Sequence, residues 1–260
     1  MNIITCLKMV PDVVEELEVG SDGKSLDTGW LRLKLSEPDE HALEQSLLLK
    51  ERHGGKVTAV AFEAPELEEA LFTALAKGAD RAIKIIGDFS GLSGPVAAQI
   101  LSTFLRSDPQ LLTSDTLILT GSQAIDDLEG ELSPCLAEGL GFPYIGVVTG
   151  IELEPEGKKA LVMKEFAGGL RGEFEVPIPA VLGIQAAEKP PRYVPVAKVR
   201  SVMKTMKIEP REVPCPDALG RLPVEQLYKP EVAGMAEMIE GSPNEIAERL
   251  VEILSKRALA

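Results

Sequence analysis

The chain has 260 residues, 45% hydrophobic and 26% charged, a globular composition that excludes wholesale disorder and suits one large domain or a domain with an extension. Asp and Glu number 41 against 27 Lys and Arg, and the net charge of -14 repels phosphate backbones and anionic lipid, so nucleic acid and membrane surfaces are poor partners. Three scattered cysteines (Cys6, Cys135, Cys215) and two histidines (His41, His53) exclude a zinc site of ordinary spacing and fit a reducing compartment.

The first residues, MNIITCLKMVPD, have too short an apolar run for a signal peptide. No run approaches the roughly 18 apolar residues of a membrane span. A soluble, cytoplasmic protein is expected.

In chain order, Ile3 to Leu7 reads as a buried strand, and the turn-rich residues 11 to 35 as a hairpin or excursion. Asp39 to His53 reads as a helix closed by Gly54-Gly55, and Val57 to Phe62 as the second strand. Pro65 to Lys77 places Leu67, Ala70, Leu71, Ala74 and Leu75 on one helical face, with Gly78 suited to the C′ position. Ala82 to Ile86 is the third strand, Pro95 to Leu105 another amphipathic helix, and Thr116 to Thr120 a β-branched strand. A short helix is expected from Leu132 to Gly139. This alternation predicts βαβ units with right-handed crossovers: an α/β fold with a doubly wound, mostly parallel sheet. Val147 to Val176 alternates around Gly157, Gly168-Gly169 and Gly172, a β-meander at the sheet edge, and Val181 to Ile184 returns as a buried strand.

Six of the nineteen prolines (190, 191, 195, 210, 214 and 216) fall in the next stretch. It reads as an extended arm, which divides the chain into an α/β unit over 1–185 and an arm over 186–260. Ser242-Pro243-Asn244-Glu245 is a capping box opening a last helix, with Ile246, Leu250, Ile253 and Leu254 as its apolar stripe. That stripe packs either on its own domain or on a partner chain. The arm is expected to serve partner contacts and add little to the core, so that truncation after Ile184 leaves a folded chain.

Common catalytic signatures are missing: no GxSxG, HExxH, Walker A or GxGxxG occurs. Both histidines lie among charges on a helix and read as solvent-facing. The informative segment is Gly121 to Leu132 (GSQAIDDLEGEL), at the C-terminal end of a buried strand, where open α/β sheets bind ligands. Gly121 permits close backbone approach, amides ahead of the next helix can receive an anion, and Asp126 and Asp127 suit ribose hydroxyls. The segment is equally readable as a plain βα turn capped by aspartate. No Lys or Arg lies in residues 107 to 157, so backbone donors must supply any phosphate contacts.

The segments CLKMVPD (6–12), DEHALEQSLLLKE (39–51), TALAKGADRAIKI (73–85), GSQAIDD (121–127), GGLRGEFEVPIPAVLGI (168–184) and PPRYVP (190–195) occur in the order found in electron transfer flavoprotein beta subunits, and the chain resembles that family over about residues 1 to 210. The resemblance implies a nucleotide-alpha-hydrolase-like fold without hydrolase activity. It also implies a heterodimer with an alpha subunit and an FAD shared with that subunit. A buried AMP, or a second FAD, is implied in the beta pocket. Carried onto this sequence, the nucleotide contacts are Cys6, Leu7, Ser36 to Asp39, Glu63, and Gly121 to Leu132, including Ser122, Gln123, Ala124, Ile125, Asp126, Asp127, Gly130 and Glu131. Arg192, Tyr193 and Val196 match the loop that grips a flavin- or iron-sulfur-containing oxidoreductase such as an acyl-CoA dehydrogenase.

The chain departs from the family pattern at several of these positions. Gly130, Glu131, Leu132 and Ser133 stand where typical members carry an Asn-Gln-Thr-Gly phosphate run, Ser36-Glu37-Pro38 replaces Asn-Pro-Phe, and Val196 replaces a leucine anchor. Competing readings are a nucleotide-binding or hydrolytic module of the same fold and a structural partner subunit with an empty pocket. The SGGxDS loop of such hydrolases is absent.

Overall fold

The structure, a computed structural model, describes residues 1–14, 16–89, 91–154, 157–214, 224–230, 234, 236 and 238–258. Cys215 and Pro216 lie outside the described residues. Strand β1 (Asn2–Leu7) leads through β2 (Met9–Pro11) and β3 (Leu33–Leu35) to helix α1 (Glu37–His53). Then follow β4 (Lys56–Phe62), α2 (Leu67–Lys77), β5 (Arg81–Ile86), α3 (Gly94–Ser107), β6 (Thr116–Gly121) and α4 (Leu132–Leu140). The three-stranded meander is β7 (Tyr144–Leu153), β8 (Lys159–Glu165) and β9 (Arg171–Pro177), and β10 (Ala180–Ile184) re-enters the sheet. Beyond it lie α5 (Val196–Thr205), β11 (Glu209–Glu212) and α6 (Pro243–Ala258).

The main sheet has nine strands in the order β11-β5-β4-β1-β6-β10-β7-β8-β9. Pairing is parallel from β11 to β7 and antiparallel through β8 and β9, as the alternation of strands and helices predicts. Strand order reverses at β1, with β4 and β5 on one side and β6 and β10 on the other, which makes the C-terminal ends of β1 and β6 the switch point where such sheets open a crevice.

Successive strand residues feed two cores. Ile3, Ala59, Leu117 and Leu182 face α1 and α2, whereas Ile4, Val60, Ile118 and Val181 face α3 and α4. Both faces of the central strands are therefore dry, and period-2 alternation gives way to continuous apolar runs.

Residues 11–35 form the expected excursion: β2 and β3 pair antiparallel, and a bridge joins Val19 to Leu26. The region after 186 is more regular than its prolines suggest. Helix α5 packs on α2, and its Val202, with Met206 and Ile208 just beyond, rests on the core. Strand β11 pairs parallel to β5 and is tied to it by Arg81–Glu209 at 2.9 Å. Its sequence, Glu-Pro-Arg-Glu, carries no apolar alternation. It pairs with one neighbour, and Pro210 is tolerated because an edge strand does not need every N–H. Truncation after Ile184 would therefore uncover the edge of β5 and the side chains beneath α5, although no described residue beyond Ile184 is itself fully buried, in keeping with the expectation that the arm adds little to the core. Helix α6 opens on the capping box, with Ser242 N–H donating to Glu245 Oε2 at 2.7 Å, and Leu250 and Leu254 are exposed. No helix among the described residues is long and apolar enough to cross a membrane.

Candidate functional site

A cleft opens beside the switch point, on the β4 side of β1. Its floor is the C-terminal ends of β1 (Cys6, Leu7) and β4 (Val60 to Phe62), and its rim carries Glu63, Asp127 and Leu132. A tilted aromatic pair, Phe62 and Phe89, with centroids 4.6 Å apart, forms one apolar wall suited to a planar ring. Gly94 and Leu132, the first residues of α3 and α4, lie across from it. A Cβ on Gly94 would sit 3.3 Å from the Leu132 amide nitrogen, so the two helix starts meet there.

The chain's acid excess is not spread evenly over its helix starts. Helix α1 carries Glu37, Asp39 and Glu40 in its first turn, and α2 carries Glu68 and Glu69. Helices α3, α4 and α5 carry none in theirs, and neither Ser93 nor Glu131, the N-cap residues of α3 and α4, caps through its side chain. Two positive helix ends thus meet at the cleft, and the Asp127 carboxylate lies at the same junction, 3.3 Å from where a Cβ on Gly94 would be, so the helix ends favour an anion and Asp127 opposes it.

The acids around the cleft are largely turned to partners. Asp126 pairs with Lys8 at 2.7 Å, and Glu63 accepts from the Gly87 amide at 3.2 Å and lies 3.5 Å from Lys84. Asp39 is buried and accepts from the Lys8 amide at 2.8 Å and the Gly121 amide at 2.7 Å, joining the ends of β1 and β6. Burial pushes its carboxyl up to about 7, against the two amide bonds that favour the charge. Burial, and next the nearby Asp39, push the Cys6 thiol up to about 12, so it is an unreactive wall.

The sequence-derived site residues divide between two clefts. Cys6, Leu7, Asp39, Glu63, Asp127 and Leu132 line the first. Ser36, Gln123, Ala124 and Ile125 line a second, together with Glu37, Pro38 and His41, on the other side of the 121–131 loop. The Ser36 hydroxyl is buried there without a partner. Gly121 leaves room for protein, not ligand: a Cβ would meet Asp39 Oδ1 at 2.6 Å and Pro38 Cβ at 2.8 Å. Ser122 donates to Gln185 Oε1 at 2.7 Å. Gly130, with φ of 63°, lets the loop turn tightly against the Ser122 carbonyl, 2.4 Å from where a Cβ would lie. Glu131 is the α4 N-cap residue.

His41 is half-buried, and its Nδ1 accepts from the Ala187 amide at 3.2 Å, which corrects its solvent-facing assignment. His53 is exposed. Of the arm residues, Tyr193 and Val196 are exposed, whereas the Arg192 guanidinium is bonded to Glu44 and Glu51 within the chain. The sequence reading missed Lys8, Phe62, Phe89 and Gly94. Phe62 was within reach of the strand-end rule, but Phe89 follows β5 in a loop without periodicity. No group of three or more metal-ligating side chains occurs among the described residues.

A model of the electron transfer flavoprotein domain matches residues 30–218. The chain is 27% identical to the electron transfer flavoprotein subunit beta of Methylophilus methylotrophus over 98% of both chains. It is 31% identical to that of Clostridium acetobutylicum over 76% of this chain and 74% of the relative. It is also 28% identical to the acryloyl-CoA reductase electron transfer subunit gamma of Anaerotignum propionicum over 99% of both.

Proposed function

This chain belongs to the electron transfer flavoprotein family as a beta-type subunit, and on that premise we propose that it pairs with an alpha subunit and passes electrons between oxidoreductases through an FAD shared with it. Membership makes it a subunit of a flavin-bearing electron carrier. The flavin supplies the redox chemistry; the chain supplies binding, orientation and electrostatics. The exposed apolar stripe of α6 and the segment after residue 186 are offered to the alpha subunit, and the Tyr193–Val196 loop to an oxidoreductase such as an acyl-CoA dehydrogenase. A cytoplasmic location fits the sparse, free cysteines Cys6 and Cys135.

The first cleft is assigned to an adenine nucleotide, AMP in preference to a second FAD. One observation carries this: the first turns of α3 and α4, which meet at the cleft, hold no acid, so that Glu131 at the α4 N-cap and Asp127 in the loop before it are the carboxylates that must turn aside or meet ribose. Leu132 and Gly94 would present backbone donors to a phosphate, and Phe62 and Phe89 an apolar wall to a base. The second cleft, with Ser36, Gln123 and Ile125, is assigned to the shared FAD.

The test is the nucleotide content of the purified heterodimer, counted as FAD and AMP released per complex. One of each is expected. Gly94→Val, which crowds the Leu132 amide, should remove the nucleotide and keep the fold, while Glu131→Gln should keep or strengthen binding. A complex without a second nucleotide would favour a structural subunit whose pocket is empty.

A further inference from the structure

Residues 187–192 lie along α1 as a strap whose polar groups pair with the helix at successive turns. The Ala187 amide donates to His41 Nδ1 at 3.2 Å, and the Glu188 amide to Gln45 Oε1 at 3.1 Å. Gln45 Nε2 and Arg52 return bonds to the Glu188 carboxylate. The strap ends on Arg192. Its amide donates to Glu44 Oε2 at 2.9 Å, its Nε and Nη2 fork onto the same carboxylate, and its Nη1 reaches Glu51 at 2.6 Å. Glu44 is only 3% exposed, so this contact is desolvated and geometrically demanding.

The next residues are the reverse. Tyr193 is 84% exposed, between the clamp on one side and α5, anchored on α2, on the other, and Val196, the first residue of α5, is 61% exposed. A short segment fixed at both ends with its large side chains in solvent is a preorganised binding element, since ordering costs are met before the encounter.

We propose that Arg192 is a positioning residue that touches no partner and instead fixes the angle at which Tyr193 and Val196 meet the electron-exchanging oxidoreductase. This rests on the reading that the loop docks such a protein. Every guanidinium nitrogen of Arg192 is committed within the chain. Lysine keeps the charge that Glu44 requires but not the fork that fixes the strap's register. Fold stability and loop presentation are therefore separable.

The experiment uses the intact heterodimer, with an acyl-CoA dehydrogenase and its acyl-CoA substrate as the electron-donating probe and flavin reduction as the signal. Arg192→Lys should raise KM for the dehydrogenase about tenfold with kcat within about twofold, as expected for lost preorganisation. Its melting temperature and flavin spectrum should stay unchanged, and amide exchange over 188–196 should quicken. Tyr193→Ala should raise KM similarly with exchange unchanged. A raised KM in Tyr193→Ala with an unchanged KM in Arg192→Lys overturns the positioning role alone. No electron transfer in the wild type, or an unchanged KM in Tyr193→Ala, overturns the docking reading beneath it, and with it this proposal.

Discussion

Helix α1 buries two carboxylates five residues apart, and the chain holds them by different means. Asp39, 7% exposed, faces the cleft and is held by two backbone amides. Glu44, 3% exposed, faces the strap and is held by the Arg192 guanidinium. Amides offer partial charges, and at Asp39 they do not offset desolvation, so its carboxyl is pushed up to about 7. Arg192 brings a full charge and a fork, and the bonds to Glu44 and then Glu51 raise its own pKa. The difference separates two kinds of anchor. The clasp on the cleft floor can change protonation near neutrality, whereas the clamp on the arm carries a fixed charge.

The sharpest way to break the comparison is to remove each site's cation. Arg192→Met leaves Glu44 buried and uncompensated and should cost about 3–5 kcal/mol in urea unfolding. Lys8→Met removes the cation nearest Asp39, but Lys8 pairs with Asp126 at a half-exposed surface, so the loss should stay below about 1 kcal/mol. Equal losses would mean that Asp39 depends on Lys8 as Glu44 does on Arg192.

The next test is pH. Asp39 has a folded pKa of about 7 against 3.8 for the unfolded group. Below about pH 3 both states are protonated and the group contributes nothing. Between about pH 4 and 7 the unfolded state ionises first and binds fewer protons, so stability falls as pH rises, by up to ~4 kcal/mol, and levels off above 7. Glu188 and Glu209 titrate with the opposite sign because their folded pKa values are lowered, so the measurement is the wild type minus an Asp39→Asn variant. That difference should fall from pH 4 to 7. A flat difference would mean that Asp39 is not held in the desolvated state described here.

The site was legible where one residue serves one rule. The family resemblance pointed to Cys6, Leu7 and Glu63, and the strand-end rule pointed to the βα turn with Asp127 and Leu132, because the alternation of strands and helices places that turn at the C-terminal edge of the sheet. What stayed hidden depends on contacts between distant segments. Glu44, Gln45 and Ser46 look like the solvent face of α1 but are buried, because a strap some 140 residues later covers Glu44 and Gln45, and Ser46 bonds Thr5 at 2.6 Å. Helix α5 was masked by the prolines before it, and β11 by its charge. The split of one motif into two clefts follows from the compact turn at Ala124–Asp127, whose two amide bonds of 3.1 Å have no sequence signature beyond the aspartates.

The smallest expected effect tests whether Gly121 belongs to the Asp39 clasp. A Cβ there would lie 2.6 Å from Asp39 Oδ1 and 2.8 Å from Pro38 Cβ, so Gly121→Ala must push the start of α1 away from the end of β6. The expected loss is about 1–3 kcal/mol. If the glycine exists to let the carboxylate reach the Gly121 amide, the two positions are coupled. Asp39→Ala removes the closest of the contacts that the methyl group would meet, leaving Pro38 Cβ at 2.8 Å and the backbone nitrogen of residue 39 at 3.1 Å. Gly121→Ala should then cost less in the Asp39→Ala background than in the wild type, with a coupling energy of about 0.5–3 kcal/mol in a double-mutant cycle. Additive losses would show that Gly121 answers to Pro38 and the α1 backbone and not to the Asp39 carboxylate, and that the clasp between the strand ends does not depend on how closely β6 approaches the helix.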